Sequence, residues 1–103
     1  MKPLVNTTFT VGAGETKLVH REDALFGRTL WEGAAIGNGD FTLRLSRGLV
    51  SGEWLAPKDE DFTADVGDIF SADLLCPGAK MEIYNAGGSE ISVKLTMVEH
   101  RYA

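Results

Sequence analysis

Cysteine occurs once in the 103 residues, at Cys76, which excludes an internal disulfide framework and leaves the fold to rest on apolar packing. It sits in the run Leu74-Leu75-Cys76 and reads as a buried, inert thiol. Histidine is almost as scarce: His20 and His100 stand far apart, without the His-x-His or His-x-x-x-His spacing that brings two imidazoles to one metal. No serine occupies a Gly-x-Ser-x-Gly elbow. Lys and Arg number ten against fifteen Asp and Glu, and none forms a basic run, which argues against nucleic acid as the main partner. No apolar stretch approaches the ~18 residues of a membrane span. The N-terminus turns polar before any apolar stretch of signal-peptide length, so synthesis and folding in a cytoplasm are expected.

Short alternating runs are what the chain does contain. Ile91, Val93, Leu95 and Met97 alternate with Ser92, Lys94 and Thr96, which in an extended chain puts the four apolar side chains on one face. Met81 and Ile83 flank Glu82 in the same way, and Asn85 to Ser89 with its two glycines lies between the runs, predicting a C-terminal β-hairpin. Phe41, Leu43 and Leu45 predict another strand after the turn Gly37 to Asp40. Phe9 to Val11, then Gly12-Ala13-Gly14, then Thr16 to Arg21 predict a first hairpin or a corner between sheets. Ile69 to Cys76 is a further strand stopped by Pro77-Gly78, and Gly27 to Ile36 and Leu49 to Leu55 are less regular candidates. Helix competes only in Glu22 to Trp31, for a single turn, with Gly27 in its middle. About eight short strands at roughly 8 to 12 residue spacing predict one all-β domain over residues 1–103, an antiparallel β-sandwich of jelly-roll type.

Charge is unevenly spread. Residues 1–50 carry six basic and five acidic side chains, residues 51–103 four and ten, an asymmetry that could orient neighbouring copies. Within Lys58 to Asp68, the alternation of Asp59, Asp61, Thr63 and Asp65 imitates a calcium loop but lacks its details, since Ala64 stands at the glycine turn and Phe70 where a bidentate Glu belongs. This segment is expected to be a solvated loop between sheets, and no metal or cofactor is expected. His20 falls in step with Leu18 and reads as a surface or partly buried strand residue.

Trp31 and Trp54, each beside a Glu, have the composition of a sugar-stacking platform or of an interface anchor; core packing is the plainer alternative. Tyr84 is a third candidate aromatic. The segments Lys2 to Asn6 and His100 to Ala103 read as terminal arms that grip adjacent subunits, which makes Arg101 and Tyr102 candidate contacts. Two function classes follow: a non-enzymatic assembly module, and a carbohydrate-binding module using Trp31, Trp54 or Tyr84.

The stretches Phe9-Thr-Val-Gly-Ala-Gly-Glu-Thr-Lys17, Ala64-Asp-Val-Gly-Asp-Ile-Phe70 and Tyr84-Asn-Ala-Gly-Gly-Ser-Glu-Ile-Ser-Val-Lys-Leu95 resemble the small β-sandwich virion proteins of bacteriophages, the minor capsid, decoration, spike and tail-associated subunits. The resemblance is one of style and carries no residue-specific signature. It implies a homo-oligomer placed in the virion, made in the host cytoplasm, with copies of itself and other virion subunits as partners.

Overall fold

The computed structural model describes residues 3–25 and 27–102. The alternating runs form eight strands: β1 (Pro3–Val11), β2 (Thr16–Glu22), β3 (Arg28–Gly37), β4 (Phe41–Gly48), β5 (Lys58–Phe62), β6 (Asp68–Leu74), β7 (Gly78–Tyr84) and β8 (Ile91–Tyr102). They pair antiparallel into two four-stranded sheets with orders β1-β8-β3-β6 and β2-β7-β4-β5, the architecture of an eight-stranded jelly roll. The inward positions fill the space between the sheets. Val93, Leu95 and Met97 of β8 are fully buried there, against Trp31 and Leu74 of the same sheet and Leu43, Met81 and Ile83 of the other. No Cβ fits at Gly33 of β3, because it would overlap the carbonyl oxygen of Thr96 and crowd the Phe70 ring.

Six of the seven connections cross from one sheet to the other, and only β4 to β5 stays within a sheet. The expected C-terminal hairpin is therefore corrected. β7 and β8 are consecutive but belong to different sheets, and Asn85 to Glu90 is a corner. Alternation within each run reported strand character and inward face, but a strand buried on one side is compatible with either sheet. A second property follows from the same orders. Every ladder in both sheets joins a strand from residues 3–48 to a strand from residues 58–102. The near-neutral and acidic halves of the chain are thus interleaved in both sheets.

Four further expectations change. Lys58 to Asp61 lie in edge strand β5 rather than in a loop, with all four residues exposed and Phe62 alone buried. Charge on both faces hid the strand from a pattern search, and it is also what protects a free sheet edge. Leu49 to Leu55 is a tight turn, closed by Leu49 N–H to Glu53 C=O (2.8 Å) and Gly52 N–H to Leu49 C=O (2.9 Å), with a single bridge between Gly48 and Trp54. The described residues between β2 and β3 form no helical turn. The terminal segments are not free arms where they are described. Pro3 to Asn6 pair with Thr96 to Val98, and His100 to Tyr102 pair with Arg28 to Leu30. Lys2 and Ala103, the outer ends of the expected arms, lie outside the described residues.

Candidate interaction surface

The five residues singled out from the sequence do not converge. Trp31 is fully buried. Its indole N–H donates to Glu99 Oε1 at 3.1 Å, and the edge of His20 meets its ring at a centroid distance of 5.6 Å, so it cannot stack on a ligand. A β-bulge between Leu18 and His20 breaks the alternation and turns His20 inward as the partner of Met81, out of step with Leu18. The imidazole then meets Glu22 at 2.9 Å. Glu99 also accepts from Arg101 Nε at 3.1 Å, so Arg101 belongs to an intrachain pair. Burial works against the Glu99 carboxylate, but the donors Trp31 and Arg101 outweigh it and hold its pKa below the usual range. The result is a polar plug at one end of the sandwich, with both Glu99 oxygens engaged.

Trp54 is half-buried and serves as a latch. Its ring lies over Gly48 and Gly78, which face each other on β4 and β7; a Cβ at either would come within 3.3 or 3.4 Å of ring atoms. Arg21 and Lys80 hold cationic groups 5.1 and 4.9 Å from the ring centroid. Tyr84 projects from the outer face of β7, with the Arg44 guanidinium 4.1 Å from its ring centroid. Tyr102 is half-exposed beside Arg28, which is bound to Asp73 through two hydrogen bonds of 3.1 and 2.7 Å. Those hydrogen bonds hold the Asp73 pKa below its ordinary value. The Cys76 thiol donates to Gly78 C=O, and burial pushes its pKa up, keeping it protonated.

Two surface features escaped the sequence. At the end opposite the plug, the corners 38–40, 63–67 and 85–90 leave a cleft of about 720 Å³, walled by Asn38, Asp40, Asp61, Thr63, Ser89 and Glu90. The stacked rings of Phe41 and Phe62, 4.9 Å apart, form its floor. Asp61 accepts from Thr42 Oγ1 at 2.7 Å, and Asp40 from Ala64 N–H at 2.7 Å. Among the described residues no group of three His, Cys, Asp or Glu side chains is arranged to hold a metal ion.

The other feature lies on the outer face of the β1-β8-β3-β6 sheet. Ala34 of β3 is small, and around it Ile36, Gly67, Ile69, Lys94 and Thr96 enclose a shallow hollow of about 410 Å³. Ile69 stands on its rim with 75 % of its surface exposed, and neighbouring Val66 is 59 % exposed. Towards the far end, the same face carries charges that are already matched: Arg28 with Asp73 at 2.7 Å and His100 with Glu32 at 4.0 Å. No helix among the described residues is long and apolar enough to cross a membrane.

No protein-family model and no curated protein matches the chain. Among solved structures, the crystal structure of PirA is similar in fold, with a TM-score of 0.68 at 18% identity over 92% of this chain and 93% of that one.

Proposed function

We propose that the chain is a non-enzymatic assembly subunit of a virus-like particle, a capsid, decoration, spike or tail component of the bacteriophage kind, acting through protein-protein contacts. The observation that carries this is the exposed apolar ground formed by Ile36, Val66 and Ile69 around a preformed hollow. Exposed apolar patches of this kind mark interaction sites. The jelly roll is also an architecture of viral capsid domains. Co-expression with neighbouring genes, followed by density-gradient separation of any particles, tests the role. Wild-type chain in the particle fraction and Ile69→Arg left at the top of the gradient is the expected result; wild-type chain absent from every particle fraction overturns it.

A second reading, glycan binding, is favoured by the polar cleft, because jelly rolls also serve as lectin domains and its wall offers many hydrogen-bonding groups. The ligand would then sit at Asp61 and Asn38 rather than on Trp31 or Trp54. Retention of wild-type protein on a neutral glycan panel, lost in Asp61→Ala, is its expected signature, and no retention by wild-type protein across the panel overturns it.

A further inference from the structure

The two sheets are joined along one long side of the sandwich and stand apart along the other. On the first side, Gly12 to Glu15 carry the chain directly from edge strand β1 to edge strand β2. On the second side the edges are β5 and β6. Among the described residues, β5 pairs with β4 alone and β6 with β3 alone, so no ladder closes the gap between them. A crevice of about 240 Å³ enters the sandwich there. Leu43, Leu45 and Met81 line it from one sheet, and Phe70 and Ala72 from the other. All five belong to the core, which makes the crevice an extension of the apolar interior to the surface.

Positive charge is gathered at one end of this opening. Lys58 of β5 stands across from Leu45, and Arg47 follows Leu45 by two positions on β4, so both cations sit at the same end. Neither has an ion-pair partner among the described residues. Arg47 donates from Nη2 to the Asp73 carbonyl at 3.2 Å. That bond holds the guanidinium across the gap between the sheets and uses one of its five N–H donors. Of the two acids on the rim, Asp73 is already bound by Arg28 through two hydrogen bonds. The other, Glu60, stands further along β5, across from Leu43. From Arg47 to Leu43 the strand advances about 13 Å, the length over which a ligand could lie.

Size and charge together define the ligand class. The crevice is smaller than the about 300 Å³ at which drug-sized pockets begin, too small for a two-chain lipid and suited to one unbranched alkyl chain. Two cations at its mouth suit an anionic head, and the planar fork of arginine matches a carboxylate. We infer that the crevice between β5 and β6 binds a free single-chain carboxylate, its alkyl tail between the sheets against Leu45 and Ala72 and its carboxylate held by Arg47 and Lys58. The site is separate from the apolar ground around Ile69 and does not depend on the assembly role.

The test is calorimetric titration of the full chain with hexanoate, octanoate and decanoate, each below its micelle-forming concentration, with methyl NMR to locate the site. Affinity should rise about four-fold for each added methylene until the tail fills the crevice. The methyl signals of Leu45, Ala72 and Met81 should shift, while those of Ile36 and Ile69 on the outer face stay in place. Octylamine, of equal length and opposite charge, should bind about ten-fold or more weakly than octanoate. Lys58→Glu, on an exposed edge strand, should weaken octanoate binding by about ten-fold and favour octylamine instead. Arg47→Gln should weaken octanoate binding as well, with a thermal unfolding curve to establish that each variant is folded. Should Arg47→Gln fail to fold once its link to Asp73 is lost, Lys58→Glu decides the matter alone. No heat and no methyl shift with any of the acids overturns the inference. So do equal affinities along the series, octylamine bound as well as octanoate by wild-type protein, or octanoate affinity unchanged in folded Lys58→Glu. Binding to phosphatidylcholine vesicles without any response to the free acids overturns it too, because the ligand would then be a bilayer.

Discussion

Asn85 fastens two corners of the sandwich with one amide. Its Nδ2 donates to the carbonyls of Val11, Gly12 and Ser89 at 3.2, 3.1 and 2.8 Å, and its Oδ1 accepts from Gly87 N–H at 2.9 Å. Each buried polar group left without a partner costs about 1–3 kcal/mol, so Asn85→Ala should lower urea-unfolding stability by at least that much. Asn85→Asp should cost more at neutral pH, because a carboxylate would face three carbonyls, and should recover partly in acid as protonation restores one donor. Glu99 makes the opposite case. Its pKa is lowered in the fold, so its stabilisation is present above the ordinary value of 4.5 and is lost as pH falls through the lowered value. Glu99→Gln keeps an acceptor for Trp31 and should flatten the acid limb of a stability-pH curve. The buried hydroxyl of Thr29 has no hydrogen-bond partner among the described residues. Thr29→Val should therefore raise stability by about 1 kcal/mol, measured by the same unfolding curves. None of these roles was legible beforehand, since Asn85 read as part of a turn and Glu99 lies beyond the alternating run that ends at Met97. Trp31 lies more than sixty positions from Glu99, as do Val11 and Gly12 from Asn85, and no local pattern joins them.

Elements were more legible than partners. The inward faces of β4, β6, β7 and β8 follow directly from alternation, because burying one side of a strand forces a period of two. The failures have separate causes: β5 has no apolar residue except Phe62, β2 has its period interrupted by a bulge, and the β7-β8 corner uses the same glycines and asparagine as a hairpin turn. The β4-β5 connection shows how a loop is held without a strand. Trp54 lies on Gly48 and Gly78, and Leu55 N–H reaches Arg47 C=O at 2.9 Å. Trp54→Ala should leave the core intact, cost about 1–2 kcal/mol, and expose the chain to tryptic cleavage at Arg47 and Lys58. Unchanged cleavage kinetics would show that the backbone hydrogen bonds alone hold this loop. Of the candidate site, only the outward placement of Lys94 and Thr96 was readable; the hollow needs Ala34, Ile36 and Ile69 from two other strands, which no local pattern joins.

At the scale of the molecule, the sheet orders matter more than any single contact. Sandwiches dominated by non-local pairing fold slowly, in about milliseconds to seconds, because loop closure precedes its reward. Here the interleaving is complete, and its consequence reaches beyond rate. A polypeptide ending in the β4-β5 turn holds four strands and no two that are neighbours, and the remainder of the chain is in the same position. During translation, nothing made before the turn can build a ladder, so the emerging first half has to wait for the second. Cut at Gly52, the two fragments should each be unfolded alone by circular dichroism, yet recover strand signal and the buried environment of Trp31 when mixed. Such fragments would behave as a two-part reporter, silent apart and restored by meeting, because each lacks every strand that its own strands pair with.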